Sequence, residues 1–205
     1  GGLSVLFFFL VIYLQQVAGY SAIESGLATL PSTLIMFALS RRFGALADRH
    51  GPRVFMGAGP LIAAAGILLL LRTGMHVSFF GDLVPALVVF SIGLSMTVAP
   101  LTATVLADAD ESDAGIASAI NNAIARVAGL LAVSFVGIVV AGMLVGDSLG
   151  PNHESVSAFH DLVMMCAALI AAGGVAGAIG IRNPPRDVGA VPRSVAQPAS
   201  ASDAG

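Results

Sequence analysis

Six long apolar stretches fill this 205-residue chain, and they decide its solvent. The chain is 57% hydrophobic and only 10% charged, whereas soluble domains carry about 25% charged residues. Surface grows too steeply with size for a soluble core of this length to hide so much apolar area. The bilayer is therefore expected to surround most of it. A spanning helix needs about 20 mainly apolar residues. The candidates are 3–17, 26–43, 54–71, 83–106, 116–145 and 156–181. The first two are short, and the fifth is longer than a span requires. No segment alternates apolar and polar residues for long, as a strand in a barrel would. Backbone facing lipid must pair within its own segment, which favours helices. The expected fold class is all-α integral membrane, with a six-helix bundle over 1–181. After it, 182–205 drifts through Pro, Ala, Ser and Gly and is expected to be disordered.

Charge placement sets a topology. Every cation other than histidine is arginine. Arg41, Arg42, Arg49 and Arg53 follow the second stretch, and Arg182, Arg186 and Arg193 follow the sixth. An even number of stretches separates the two groups, so they share a side; only Arg72 lies in a loop on the other. Positive charge favours the cytoplasm. Both ends are thus expected to be cytoplasmic in a cell inner (plasma) membrane, with loops 19–25, 72–82 and 146–155 facing out. The net charge of −3 is too small to point to nucleic acid. No basic segment precedes the first apolar run, so it does not read as a signal peptide. Its start at Gly1-Gly2 is expected to be a cut edge inside a longer protein. Cys166 stands alone in an apolar run, which leaves no disulfide framework or metal cluster to expect.

Between the second and third stretches lies Gly44-x-Leu46-Ala47-Asp48-Arg49-x-Gly51-x-Arg53. It resembles the signature loop of the major facilitator superfamily, which joins the second and third helices of a six-helix half on the cytoplasmic side. Pro52 departs from the family, where a basic residue is frequent. Tyr13-Leu14-Gln15-Gln16, then Gly19-Tyr20-Ser21-Ala22 and Gly26, look like the opening of the C-terminal half of the fourteen-helix drug:proton antiporter branch. Asp113-Ala114-Gly115-x-Ala117-Ser118, with Asn121 and Arg126, looks like the same branch further on. The resemblance covers about 3–181. It implies one six-helix half of a transporter, with proton-coupled efflux of small amphipathic compounds. It also implies an N-terminal half as partner, missing here, that carries the coupling carboxylate. No cofactor is implied.

The signature residues Gly44, Asp48, Arg49, Gly51 and Arg53 are candidates for gating. A carboxylate at Asp48 can accept from a helix N-terminus and pair with arginine, contacts easily made and broken. A plain topology signal is the alternative, and it suits Arg41 and Arg42 better. Phe9, Tyr13, Gln16 and Tyr20 fall on one helix face. Tyr13 and Gln16 suit a cavity for flat apolar compounds, or equally a packed helix–helix face. In the fifth stretch Gly115, Ser118, Asn122, Arg126 and Gly129 form one stripe. Ser118, Asn122 and Arg126 are candidates to line a cavity, because polar groups in lipid are costly. The alternative puts Arg126 only at the membrane boundary. Gly93 and Pro100, with Ser95 and Thr97 between, suggest a bend with close packing. Ser112 or Asp113 is placed to cap the fifth helix.

No catalytic or metal constellation is visible. His50, His76 and His153 lie in expected loops without partners at ligand spacing. His160-Asp161 could handle protons or merely be a solvated helix end. Glu24 falls in an expected outer loop, and Asp82 and Asp161 near helix ends, so no acid stands at mid-depth. A non-transporting membrane module, a remnant or an assembly subunit, is the alternative function. A membrane enzyme lacks any nucleophile or acid/base set.

Overall fold

The computed structural model describes residues 1–107, 114–143 and 151–180. The expected cap at Ser112 or Asp113 and the tail 182–205 lie outside these. Six helices follow in order: α1 Gly2–Gln16, α2 Ala22–His50, α3 Pro52–Leu68, α4 Val84–Ala107, α5 Ala114–Met143 and α6 His153–Gly180. A 3₁₀ turn, Leu69–Arg72, extends α3, and a π turn, Phe79–Leu83, leads into α4. Among the described residues the fold is all-helical, without a strand. Among the described residues, five helices are long and apolar enough to cross a membrane; α1, with 15 residues, is shorter.

α2 outruns its apolar stretch at both ends, and each extension has a local cause. At the start, the Ser21 hydroxyl accepts from the Glu24 N–H (3.2 Å), and the Ser21 N–H donates to the Glu24 carboxylate (2.8 Å). This capping box satisfies two orphan donors. Glu24 therefore sits in the first turn of α2, not in a loop. At the other end Ala, Leu and Arg are good helix formers, so the helix runs through Arg41, Arg42 and Arg49 to His50. The loop expected there shrinks to a turn at Gly51. Its φ of +90° is one that glycine adopts without strain. Pro52 then opens α3, where its missing N–H costs nothing.

α3 lies at the centre, against α4 on one side and α6 on the other. α2 packs on α4, while α1 lies against α5 and α6. Leu6, Leu10, Leu14, Ile67, Leu87, Phe90 and Val163 are fully buried between them. The α3–α4 contact is backbone on backbone. A Cβ at Gly66 would fall on the Phe90 main chain, and one at Gly93 on that of Ala63 and Gly59. Lipid offers helices no hydrophobic drive to associate, so close approach and dispersion carry the contact. The close packing expected at Gly93 is thus present; the Pro100 side chain lies outside the described set. Ser91, Ser95 and Thr97 each donate to the carbonyl four residues back, so their hydroxyls are satisfied inside α4.

The outermost helices are less covered. Ile23, Leu34 and Phe37 of α2 are exposed, as are Ile124, Leu130, Phe135 and Ile138 of α5.

Candidate functional site

The signature residues gather at the α2–α3 turn. Gly44 is half-buried and Ala47 buried, while Arg49 and Arg53 are exposed. The Gly51 N–H closes the end of α2 by donating to the Ala47 carbonyl (2.8 Å). A ring nitrogen of His50 stands 3.1 Å from the Leu46 carbonyl oxygen. Phe43 and Phe55 approach across the turn, with ring centroids 6.4 Å apart. Asp48 lies in the last turns of α2; its side chain is outside the described set. Arg53 reaches furthest: its Nε–H donates to the Ala178 carbonyl of α6 at 2.8 Å. No sequence spacing links residues 125 apart. Glycines mark that helix contact, Gly57 against Ala178 and Gly174 against Pro60.

At the opposite end of the bundle, Tyr13 is buried. Its ring stacks on Phe159 with centroids 4.0 Å apart and planes 13° apart, and its hydroxyl donates to the Gly74 carbonyl (2.8 Å). Phe9, Tyr13, Val17 and Phe159 line a cleft of about 310 Å³, counted to its open mouth between α1 and α6. That volume includes open solvent, so the enclosed space is too small for a drug-sized guest. Gln16 is exposed, and the Tyr20 hydroxyl turns to the Val77 carbonyl (3.3 Å). The α1 face thus splits: Tyr13 enters helix packing and Gln16 does not join it.

On α5 the stripe also divides. Gly129 is buried against Ser4 of α1. Ser118 is half-buried, and Asn122 and Arg126 are exposed. Arg126 stands about 12 Å into the candidate span Ser118–Ile138 at 1.5 Å per residue. Its exposed neighbours Ile124, Val127 and Leu130 are apolar. A guanidinium at that depth is costly in hydrocarbon unless it snorkels to the interface. Water or another protein surface over this face of α5 would remove the cost. The signature turn lies on α2 and α3 and the polar stripe on α5, so the two are carried by different helices.

A family model described as Major Facilitator Superfamily matches residues 1–133, a range that holds the signature turn and the whole α5 stripe. The chain belongs to the major facilitator superfamily. Membership makes it a transporter-family protein, not an enzyme. The puromycin resistance protein pur8 of Streptomyces alboniger is 33% identical over 144 residues, covering 69% of this chain and 29% of the relative. The cephamycin export protein CmcT of Amycolatopsis lactamdurans is 33% identical over 118 residues, 57% of this chain and 24% of its own. The uncharacterized MFS-type transporter EfpA of Mycobacterium tuberculosis is 30% identical over 183 residues, 82% of this chain and 34% of its own. The chain spans about a quarter to a third of the length of these relatives.

Proposed function

We propose that this chain forms one half of a proton-coupled exporter of small amphipathic compounds, which works by alternating access against a second, N-terminal half. The observation that carries the reading is Arg126, exposed within a candidate span on an α5 surface that no described residue covers. A second half over α5 and α2 would bury their apolar faces and enclose the arginine beside a central cavity, where transporters of this architecture bind substrate. The names of pur8 and CmcT, a resistance protein and an export protein, support a drug-like cargo. The arginine-rich ends at Arg49 and Arg53 support a cytoplasmic α2–α3 turn in the plasma membrane. The missing half supplies the coupling carboxylate. In this reading Asp48 and Arg49 latch one face of the transporter shut, while Gln16, Ser118 and Asn122 border the substrate path.

In an enclosed cavity Arg126 is a fixed charge in low dielectric, where Coulomb energies are several-fold larger than in water. It would hold an anionic substrate group, pair with the partner half's carboxylate, or lower that acid's pKa. Lysine keeps the charge but loses the planar fork. With this chain joined to its N-terminal half, Arg126→Ala should abolish transport while insertion persists, and Arg126→Lys should retain part of it. Transport by Arg126→Ala at half the wild-type rate or better would end the cavity reading.

A further inference from the structure

α3 and α6 run antiparallel, with the start of one beside the end of the other. At the arginine-rich end they meet at glycines: Gly57 faces Ala178, and Gly174 faces Pro60. Smooth backbone contacts of this kind give close approach. They offer few side-chain ridges to stop one helix sliding on its neighbour. Two directional bonds add to the register that the buried side chains set. At the arginine-rich end, Arg53 Nε–H donates to the Ala178 carbonyl oxygen at 2.8 Å. At the opposite end, His160 Nε2 lies 2.9 Å from the carbonyl oxygen of Thr73, the residue that follows the 3₁₀ extension of α3. Thr73 is itself buried, and its hydroxyl turns back to the Leu70 carbonyl (2.7 Å). About 30 Å of helix separates the two bonds. A slide or a twist of α6 on α3 breaks at least one of them.

The two ends differ in chemistry. Arg53 brings a full positive charge to the last turn of α6, where the helix dipole is negative, so its contact is charge-assisted. Arg53 also sits two residues beyond Gly51, the pivot of the signature turn. We propose that Arg53 and His160 staple α3 to α6 at the two membrane faces, and that Arg53 ties the signature turn to α6. The turn and the far end of α6 then shift as one body. That consequence for transport rests on the exporter reading; the staple itself does not.

Amide hydrogen exchange on residues 1–205 in lipid nanodiscs reads the staple without any transport. Arg53→Ala should speed exchange in 177–180 about tenfold, a local opening, and leave 153–160 unchanged. Arg53→Lys should recover much of the protection, since an ammonium also suits a helix C-terminus; Arg53→Gln, without charge, should recover less. His160→Ala should speed exchange in 73–77 and leave 177–180 alone. Exchange in 177–180 within twofold of wild type for Arg53→Ala would overturn the proposal. So would an equal rise at both ends, which marks general loosening. Should Arg53→Ala fail to insert, the order of Lys above Gln at 177–180 decides in its place. An absence of transport by the assembled protein leaves these readings intact, so the two ideas fail separately.

Discussion

Arg53, Arg126 and Asp48 carry different burdens although all three are charges in an apolar chain. Arg53 acts inside this chain, on a backbone carbonyl of α6. Arg126 has exposed apolar neighbours and is proposed to act across an interface. Asp48 is proposed to act as a latch, in contacts that form and break during each cycle. Charge-assisted contacts are worth about 1.5–3 kcal/mol. Asp48→Asn in the assembled transporter should therefore lower turnover about tenfold or more and change substrate affinity little. Equal transport rates for Asp48→Asn and wild type would reduce the motif to a topology signal. The motif residues were legible in the sequence because their types and spacing are fixed by a short turn: Gly51 by its φ of +90°, Pro52 by its place at the start of α3. The partner of Arg53 was not legible. A carbonyl has no sequence identity, and Ala178 looks like any other alanine of an apolar run.

At the scale of elements, apolar stretches predicted where helices sit better than where they end. α2 gains its first turn from the Ser21–Glu24 box and its last from helix-forming but charged residues, neither of which hydropathy weighs. The glycines behave by position. Gly66 meets the Phe90 main chain, whereas a Cβ at Gly26 in α2 would enter open space. The same substitution should then have opposite signs. Gly66→Ala should destabilise by about 1–3 kcal/mol through overpacking. Gly26→Ala should be neutral or stabilising by up to about 1 kcal/mol, because alanine loses less backbone entropy in a helix. Thermal unfolding of the purified chain in detergent checks both, and a Gly66→Ala protein as stable as Gly26→Ala would show that α3 and α4 are not in backbone contact. The stacked pair Tyr13–Phe159 makes a related point. The sequence offered Tyr13 as cavity or packing, and only the neighbouring helix, far along the chain, separates those choices.

For the whole molecule, α1, α3, α4 and α6 hold most of the buried core, and α2 and α5 are the least covered of the candidate spans. The family was legible because its motif is local. The uncovered faces became visible only once the helices were packed, since a hydropathy profile scores lipid-facing and protein-facing leucines alike. The arginine bias makes a separate prediction. In a Cys166→Ala background, Ser78→Cys and Ser148→Cys should react with a membrane-impermeant thiol reagent from outside, and His50→Cys and Ser194→Cys should not. Labelling of His50→Cys from outside would reverse the orientation. The central claim, that the chain is half of a two-part exporter, is tested most directly in proteoliposomes under an imposed proton gradient. Residues 1–205 alone should show no substrate-dependent proton flux, and the same residues joined to an N-terminal half should show it, because the central site needs both halves. Robust flux from residues 1–205 alone would contradict the account.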